Sequence, residues 1–521
     1  MVFYDTVIIG SGVSGMSAGI LLAKSGRRVL VLEQNKKPGG LMQTFVRKST
    51  VFPTGVHKLG ALGPGEILRH YFSFLGVFSR LNLVPMDDSG YEQFVFPTSS
   101  FTVPRGYTAL FNALVDAFPR EEKAITAYLR SMTTTVRQFP LYNLANPGPV
   151  GDNGMDSSTS IHSHLLELGC SEALIKVLTA NNPLHGMTPE ECPAIIHFLV
   201  TDSFLNSSWR VDEAKTPLAK AFTDAFTEAG GHLRCSARVD SLNCDSSGIK
   251  GVRLTTGEEI ACNEAVFTGH PQAIIDLCPG QSFRPAFRNR IQRAENTTGI
   301  FGLAAQWMGD DCPFALGDVY LYPAALPREH PKKSIYLSGL PGRQGNAWSM
   351  TALTAVSQAD TRRLTDLKRG DRDGYLKAKE AMATAVVESI TDRWGDARNK
   401  IQVVATYTPL TFNRYTLSPL GTAYGIKKSA ETFWKNQLNP VTRIKGLFLA
   451  GQSLTVSGVL GALISSVQAC MAMEGMGSLV QTITDFNGSH GESTRPRDQE
   501  NVDDDNNRNP ASPECNQGMN Q

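Results

Sequence analysis

The chain has 521 residues, with 50 Lys and Arg against 49 Asp and Glu, a net charge of +1. At roughly 150 residues per domain, that is about three domain-sized units and enough chain for a large core. Hydrophobic residues make up 41% and charged residues 19%, which excludes a wholly disordered or collagen-like chain. The balanced charge leaves no global field to draw nucleic acid or an anionic membrane. Nine cysteines contain no CxxC pair. Their spacing suggests neither a metal site nor a disulfide framework, and an odd count fits a reducing compartment.

The first strand-like run, Thr6 to Ile9, leads straight into a glycine loop, so the start of the chain reads as part of the fold rather than a secretory leader. The expected location is cytoplasmic. The most membrane-like stretch, Gly458 to Val480, contains Ser465, Ser466, Gln468 and Glu474. It fails the test of about 20 apolar residues and reads as a buried helix.

The strongest local signal is Val7-Ile8-Ile9-Gly10-Ser11-Gly12-Val13-Ser14-Gly15, a G-x-G-x-x-G loop between a β-branched run and a helical run. A second strand, Arg28 to Leu32, follows and ends in Glu33. Strand, loop, helix, strand and terminal acid fit one βαβ dinucleotide-binding unit, with the acid about 20 residues on. Gly10 permits the turn, Gly12 lets the backbone approach a pyrophosphate, and Gly15 lets helix pack on strand. The helix N-terminus offers unpaired N–H groups to the phosphates. Glu33 can accept hydrogen bonds from both ribose hydroxyls and would repel a 2′-phosphate. Gly39-Gly40 lies six residues after Glu33. A nicotinamide dehydrogenase has no common need for that pair, whereas the long ribityl chain of FAD lies against backbone there. A second GxGxxG is missing from the sequence, which favours one tightly held flavin. No covalent-attachment motif stands out, so the FAD is expected to be non-covalent.

Further along, Ala61 to Asn206 reads as helical, with breaks at Asn146-Pro147-Gly148 and Asn181-Asn182-Pro183. A helix from Thr216 ends at Gly230-Gly231. A strand meander follows: Leu233 to Asn243, Gly251 to Thr255 and Glu259 to Phe267, with Thr256-Gly257 as a hairpin turn. Thr298 to Tyr407 mixes strands and helices, and Gly446 to Val480 reads strand, glycine turn, helix. From Asp485 to Gln521 large apolar side chains are scarce, so this tail is expected to be disordered, its Asp503-Asp504-Asp505 run solvated.

The whole pattern resembles the flavin amine-oxidase superfamily, and within it the group of phytoene desaturases, carotenoid isomerases and retinol saturases (all-trans-retinol 13,14-reductases). The matching residues near the N-terminus are Gly10 to Glu33, Gly39-Gly40-Leu41 and Phe52-Pro53-Thr54-Gly55-Val56-His57; the family usually has an aspartate at the position of Pro53. Near the C-terminus they are Gly446 to Gln452 and Gly458-Val459-Leu460-Gly461-Ala462, which resemble the returning strand and helix that close over the isoalloxazine. Many relatives carry an acid at Gln452, and the retinol-saturase branch tolerates an amide. Thr408 to Phe412 and Ser418 to Gly425 resemble a segment of that branch. The resemblance implies that Val239 contacts the adenine through its backbone, and that Gly10, Ser11, Gly12, Ser14, Gly15, Glu33, Gly39, Gly40, Leu41, Gly451, Gln452, Gly458, Gly461 and Ala462 line the cofactor. Trp209 to Leu218 departs from a glycine-rich loop common in the family, a change expected near the substrate chamber.

The implied fold is α/β. A discontinuous Rossmann-like FAD-binding domain, with a mainly parallel sheet, comprises 1–60, 216–297 and 440–484. An interleaved α+β substrate domain with a helical insert comprises 61–215 and 298–439, and 485–521 forms the tail. The implied activity is FAD-dependent oxidation or reduction at carbon–carbon bonds of an apolar conjugated polyene or isoprenoid, by hydride transfer at flavin N5. Desaturation, saturation, isomerisation and reductive cyclisation of a polyketide polyene all fit one site, with an external electron donor or acceptor in the net redox cases. A flavin amine oxidase and a non-catalytic prenyl-protein binder of the GDP-dissociation-inhibitor type are the competing readings. The expected partner is a lipid-like small molecule, not nucleic acid, and any membrane contact would be peripheral.

His57 is the candidate catalytic residue, as proton donor or substrate-orienting group, with a hydrogen-bonded structural histidine as the alternative. His185 and His197 read as satisfied surface or core histidines rather than as lining the chamber, and Tyr71, Phe72, Phe74 and Phe78 as core rather than as a chamber-lining or membrane-contacting group. Gly458 and Gly461 open a helix whose N-terminus would stabilise negative charge on reduced flavin.

Overall fold

The computed structural model describes residues 3–139, 141–144, 158–278, 283–323, 334–341 and 347–489. Strand β1 (Phe3–Ile9), helix α1 (Val13–Lys24) and strand β2 (Val29–Leu32) form the first βαβ unit. β2 is wholly apolar and buried, and β1 is buried at Tyr4 and from Thr6 to Ile8, as a parallel sheet covered on two faces requires. The amide of Gly10 donates to Leu32 O at 2.9 Å, so the glycine loop is tied to the end of β2.

This unit seeds a seven-stranded sheet. Its order is His232–Arg234, β2, β1, Glu259–Phe267, Gly248–Leu254, Val239–Asp245, with Leu447–Leu449 also on Glu259–Phe267. The strand Leu447–Leu449 runs parallel beside Ala265 to Phe267, while Gly248–Leu254 pairs antiparallel with Glu259 to Ala261. The chain therefore returns to its own beginning after more than four hundred residues, and its C-terminal helix Gly458–Glu474 packs on α1.

A second seven-stranded sheet has the order Ile401–Tyr407, Gly299–Met308, Ala347–Val356, Ile335–Pro341, Asp318–Leu321, Glu92–Val95, Ser100–Val103. All its pairings are antiparallel except Asp318–Leu321 with Glu92–Val95. Two small sheets complete the β structure. One is the hairpin Thr44–Arg47 with Thr50–Pro53; the other joins Leu59–Gly60, Ser208–Val211 and Leu83–Pro85.

The structure corrects three details of the sequence reading. Leu233 to Asn243 is not one strand: His232–Arg234 runs parallel to β2, and the next strand starts only at Val239. Ser236 between them has φ of 54°, a left-handed conformation that no strand continues through. The stretch from Ala61 to Asn206 is not purely helical. Leu83–Pro85, Glu92–Val95 and Ser100–Val103 are strands too short for a period of two to show. Asp485 to Ser489 close the helix Met476–Ser489 rather than open a tail, while the rest of that tail, Asn146-Pro147-Gly148 and Cys515 lie outside the described residues. The eight described cysteines are free thiols. No single described helix is long and apolar enough to cross a membrane.

Helix α1 is buried on every side, from Ser14 to Ala23. Against the C-terminal helix, Ser14 Oγ donates to Ala462 O at 2.9 Å and Ser466 Oγ donates to Ser14 O at 2.8 Å. Against its own turn, a Cβ on Gly15 would stand 1.9 Å from Gly10 O. Gly15→Ala is therefore expected to lower stability by about 1–3 kcal/mol through overpacking. A denaturant unfolding midpoint unchanged from the parent would contradict this packing.

Candidate functional site

Some of the sequence-predicted cofactor residues, Ser11, Glu33, Gly39, Gly40 and Ala462, meet at the start of α1. Ser11 is fully buried, and both its amide, at 3.2 Å, and its hydroxyl donate to Glu33 Oε2. Glu33 Oε1 accepts from the amide and the side-chain nitrogen of Asn35, each at 2.8 Å. Ser11 Oγ in turn accepts from the Gly39 amide at 3.0 Å. Glycine loop, terminal acid and glycine pair are thus one hydrogen-bonded unit. Gly39 has φ of 115° and Gly40 of 53°, and a Cβ on Gly40 would stand 3.0 Å from Gly12 Cα. Only glycine brings these two loops so close.

Gly12 differs from its neighbours. Its φ of −67° suits any residue, yet a Cβ there would meet nothing within 4 Å. A dinucleotide-binding loop has this open space where a phosphate approaches the helix N-terminus. Ser14 is close by, but its hydroxyl is committed to Ala462 O. Val239 is buried at the start of its strand, next to a segment held to Glu33 by the Ala237 amide at 2.8 Å. Gly451 has φ of 125°, and its amide donates to Ser465 Oγ at 2.8 Å. Gln452 Nε2 donates to Ala423 O at 3.2 Å, tying the glycine turn to the Ser418–Gly425 segment.

A cavity of about 220 Å³ opens beside this unit. On one side it is lined by Leu41, Gly55, Gly458 and Gly461, and on the other by Leu59, Leu68, Val200, Phe204, Ile300 and Leu353. Two segments distant in sequence, Thr54 to Gly60 and Val456 to Gly461, meet here with residues of the second sheet. The Thr54-Gly55 turn is fixed against Leu41, with Thr54 Oγ1 donating to Leu41 O at 3.1 Å and to Gln43 O at 2.7 Å. His57 follows that turn and lines the cavity. Neither of its ring nitrogens has a hydrogen-bond partner. Burial pushes its imidazole down to about 4; the Asp318 charge opposes this and the Lys58 charge reinforces it. His185 and His197 are buried away from the cavity, with their rings 5.8 Å apart. Tyr71, Phe72 and Phe74 are buried in the main core, against which Phe78 packs, and none lines the cavity.

The polar groups beneath this wall were not legible in the sequence. Lys58 lines the cavity with its side chain buried, ion-paired to Glu92 and 3.4 Å from Asp318. Arg210 donates to Asp318 at 2.9 Å and to the carbonyls of Phe314 and Ala315. The hydroxyl of Tyr336 donates to Asp318 at 2.6 Å. Burial works to raise the Asp318 carboxyl, but Lys58, Arg210 and Tyr336 together outweigh it and hold it below its ordinary value. Burial raises Glu92, only partly offset by Lys58. One signal was available: a lysine directly after His57, between Val56 and Leu59. Its partners lie on distant strands, so periodicity could not pair them. Arg210 belongs to the segment that departs from the family pattern.

A profile of the NAD(P)-binding Rossmann-like domain matches residues 8–75. The chain is 24% identical over 516 residues to an all-trans-retinol 13,14-reductase of Danio rerio, covering 89% of this chain and 84% of that one. It is 22% identical to a chloroplastic prolycopene isomerase of Daucus carota, covering 89% and 79%. It is also 22% identical to a 4,4'-diapophytoene desaturase of Methylomonas sp, covering 50% and 52%. Among solved structures, an oxidoreductase from Methanosarcina mazei superposes with a TM-score of 0.64 at 14% identity, covering 90% and 99%. Putrescine oxidase superposes at 0.62 with 13% identity, covering 94% and 99%. The chain is a homologue of the all-trans-retinol 13,14-reductases, the prolycopene isomerases and a diapophytoene desaturase, and it shares its fold with putrescine oxidase.

Proposed function

We propose that this chain is an FAD-dependent oxidoreductase acting on carbon–carbon bonds of an apolar conjugated polyene or isoprenoid. One observation carries the reading: a largely apolar cavity lies beside the dinucleotide unit, lined by Leu41, Gly55, Gly458 and Gly461 together with Ile300, Tyr320 and Leu353 of the second sheet. In this reading the first sheet, with segments 1–60, 216–297 and 440–484, holds the cofactor. Segments 61–215 and 298–439 enclose the substrate. The relatives that match most of the chain are named for chemistry on retinol and prolycopene. The likeness to amine oxidases is one of fold at low identity.

The residues present fit non-covalent FAD. The open space at Gly12 and the N-terminus of α1 would take the pyrophosphate. The four acceptor positions of Glu33 are filled by Ser11 and Asn35, so a ribose hydroxyl would exchange with one of these donors. Gly458 and Gly461 at the N-terminus of the C-terminal helix would face the flavin ring, with the helix dipole favouring negative charge there. Bound FAD supplies hydride transfer to or from carbon. The apolar wall then aligns the polyene and excludes water, and His57 orients it as a neutral imidazole. A histidine with its pKa at about 4 holds a proton in only about one molecule per thousand at neutral pH, which disfavours the proton-donor role.

Three measurements test this. Purified protein is expected to show flavin absorption at about 370 and 450 nm. Under anaerobic conditions a polyene should either bleach it (desaturation) or reoxidise the pre-reduced form (saturation or reductive cyclisation). Response to amines alone would favour an amine oxidase, and a colourless protein that FAD does not reconstitute would leave only the binding module. Gly12→Ala should lose FAD while its stability stays within about 0.5 kcal/mol of the FAD-free parent, because the new methyl meets only the cofactor's space; retention of FAD would count against the phosphate site. The flavin half-reaction of the parent and of His57→Gln should have the same pH profile, without a step at the ordinary histidine value of 6.5. A step there that His57→Gln abolishes would restore the proton-donor role.

A further inference from the structure

Two side chains link the nucleotide acid to a helix of the chamber wall. Gln34 and Asn35 directly follow Glu33. Gln34 Nε2 donates to Tyr415 O at 2.9 Å, and Asn35 Nδ2 donates to the same oxygen at 3.0 Å. Asn35 Nδ2 also donates to Glu33 Oε1 at 2.8 Å, so its two hydrogens serve the acid and Tyr415 at once.

Tyr415 lies in the last turn of the helix Pro409–Thr416. The last four carbonyls of a helix have no partner within it, so Tyr415 O depends on donors from elsewhere. One turn earlier, Phe412 of the same helix lines the chamber. After the helix the chain folds back on it. Leu417 has φ of 57° and Leu420 of 50°, left-handed conformations that are costly for leucine. A Cβ on Gly421 would stand 1.9 Å from Pro409 O, and Asn413 Nδ2 donates to Ser418 O at 2.8 Å. Helix and return loop are thus one closed unit, and it leads into Ala423 and Tyr424, which also line the chamber. Strained backbone persists where its surroundings fix it, and the two amides on Tyr415 O are such a fixing contact.

We propose that Gln34 and Asn35 are positioning residues for the chamber: by clamping the Tyr415 carbonyl they fix the wall of Phe412, Ala423 and Tyr424 relative to Glu33. This rests on the FAD and polyene reading above and deepens it, since the substrate wall is then set from the cofactor's adenosine end. The clamp is compatible with a bound cofactor. A ribose hydroxyl that takes over Glu33 Oε1 leaves the second hydrogen of Asn35 Nδ2 on Tyr415 O.

The test uses the full-length flavin-loaded protein, Gln34→Ala, Asn35→Ala and the double variant. The chamber probe is all-trans-retinol or prolycopene, whichever the parent binds. Its affinity is read anaerobically, at saturating FAD, from the perturbation of the flavin spectrum, and the FAD dissociation constant is measured separately. Each single variant should weaken polyene binding by less than about threefold, because the other amide still holds Tyr415 O. The double variant should weaken it by at least about tenfold, more than the product of the singles, as residues sharing one partner do. FAD affinity should stay within about threefold of the parent throughout, since a ribose hydroxyl can take the acceptor position that Asn35 leaves on Glu33. Gln34 and Asn35 are only half-buried, and Gln34→Leu with Asn35→Leu, which keeps side-chain bulk, replaces the double alanine variant if that does not fold. Unchanged polyene affinity in the double variant, effects of the singles that simply multiply, or an equal loss of FAD and polyene affinity overturns the clamp and leaves the polyene reading standing. If the parent holds FAD but binds neither polyene, the polyene reading falls and the clamp falls with it.

Discussion

Two buried helices from opposite ends of the chain lie so close that small residues dominate where they touch. Helix α1 presents Ser14 and Ala18, and the C-terminal helix answers with Ala462, Ser466 and Cys470. Each serine hydroxyl donates to a carbonyl of the other helix, which keeps its oxygen satisfied in the core. On its other sides α1 leaves no more room, because a Cβ on Gly19 would stand 2.9 Å from Phe226. This contact fixes the N-terminus of α1 relative to that of the C-terminal helix. Those two termini border the dinucleotide unit and the cavity, so the geometry proposed for the cofactor depends on the contact.

The same contact explains what the sequence revealed and what it hid. The first βαβ unit was legible because its signals are local: β-branched strands, three spaced glycines and an acid in one short stretch. The match of Gly446 to Ala462 to a strand, turn and helix was legible for the same reason. The destination of the Ser14 hydroxyl was not. Its acceptor, Ala462 O, is 448 positions away. The break at Ser236 was missed because serine gives little warning of a left-handed residue, whereas Gly39 and Gly40 announced theirs.

The polar cluster under the chamber is the clearest case of information that exists only in three dimensions. Lys58 comes from a short strand approach, Glu92 and Asp318 from adjacent parallel strands, and Arg210 from the small sheet. Lys58 also stands 4.8 Å from the ring of Phe204 and 5.5 Å from that of Tyr320, so aromatic faces supplement its carboxylates. Each residue alone looks like a solvated charge. Together they balance, which is the condition under which four charges can be buried beside an apolar space.

That balance shapes the chemistry available above it. A surplus charge would have pulled an ion or water into the chamber and made it a poor place for a hydrocarbon chain. With the charges matched, the chamber is left largely apolar, so packing rather than charge is what an apolar chain would meet there.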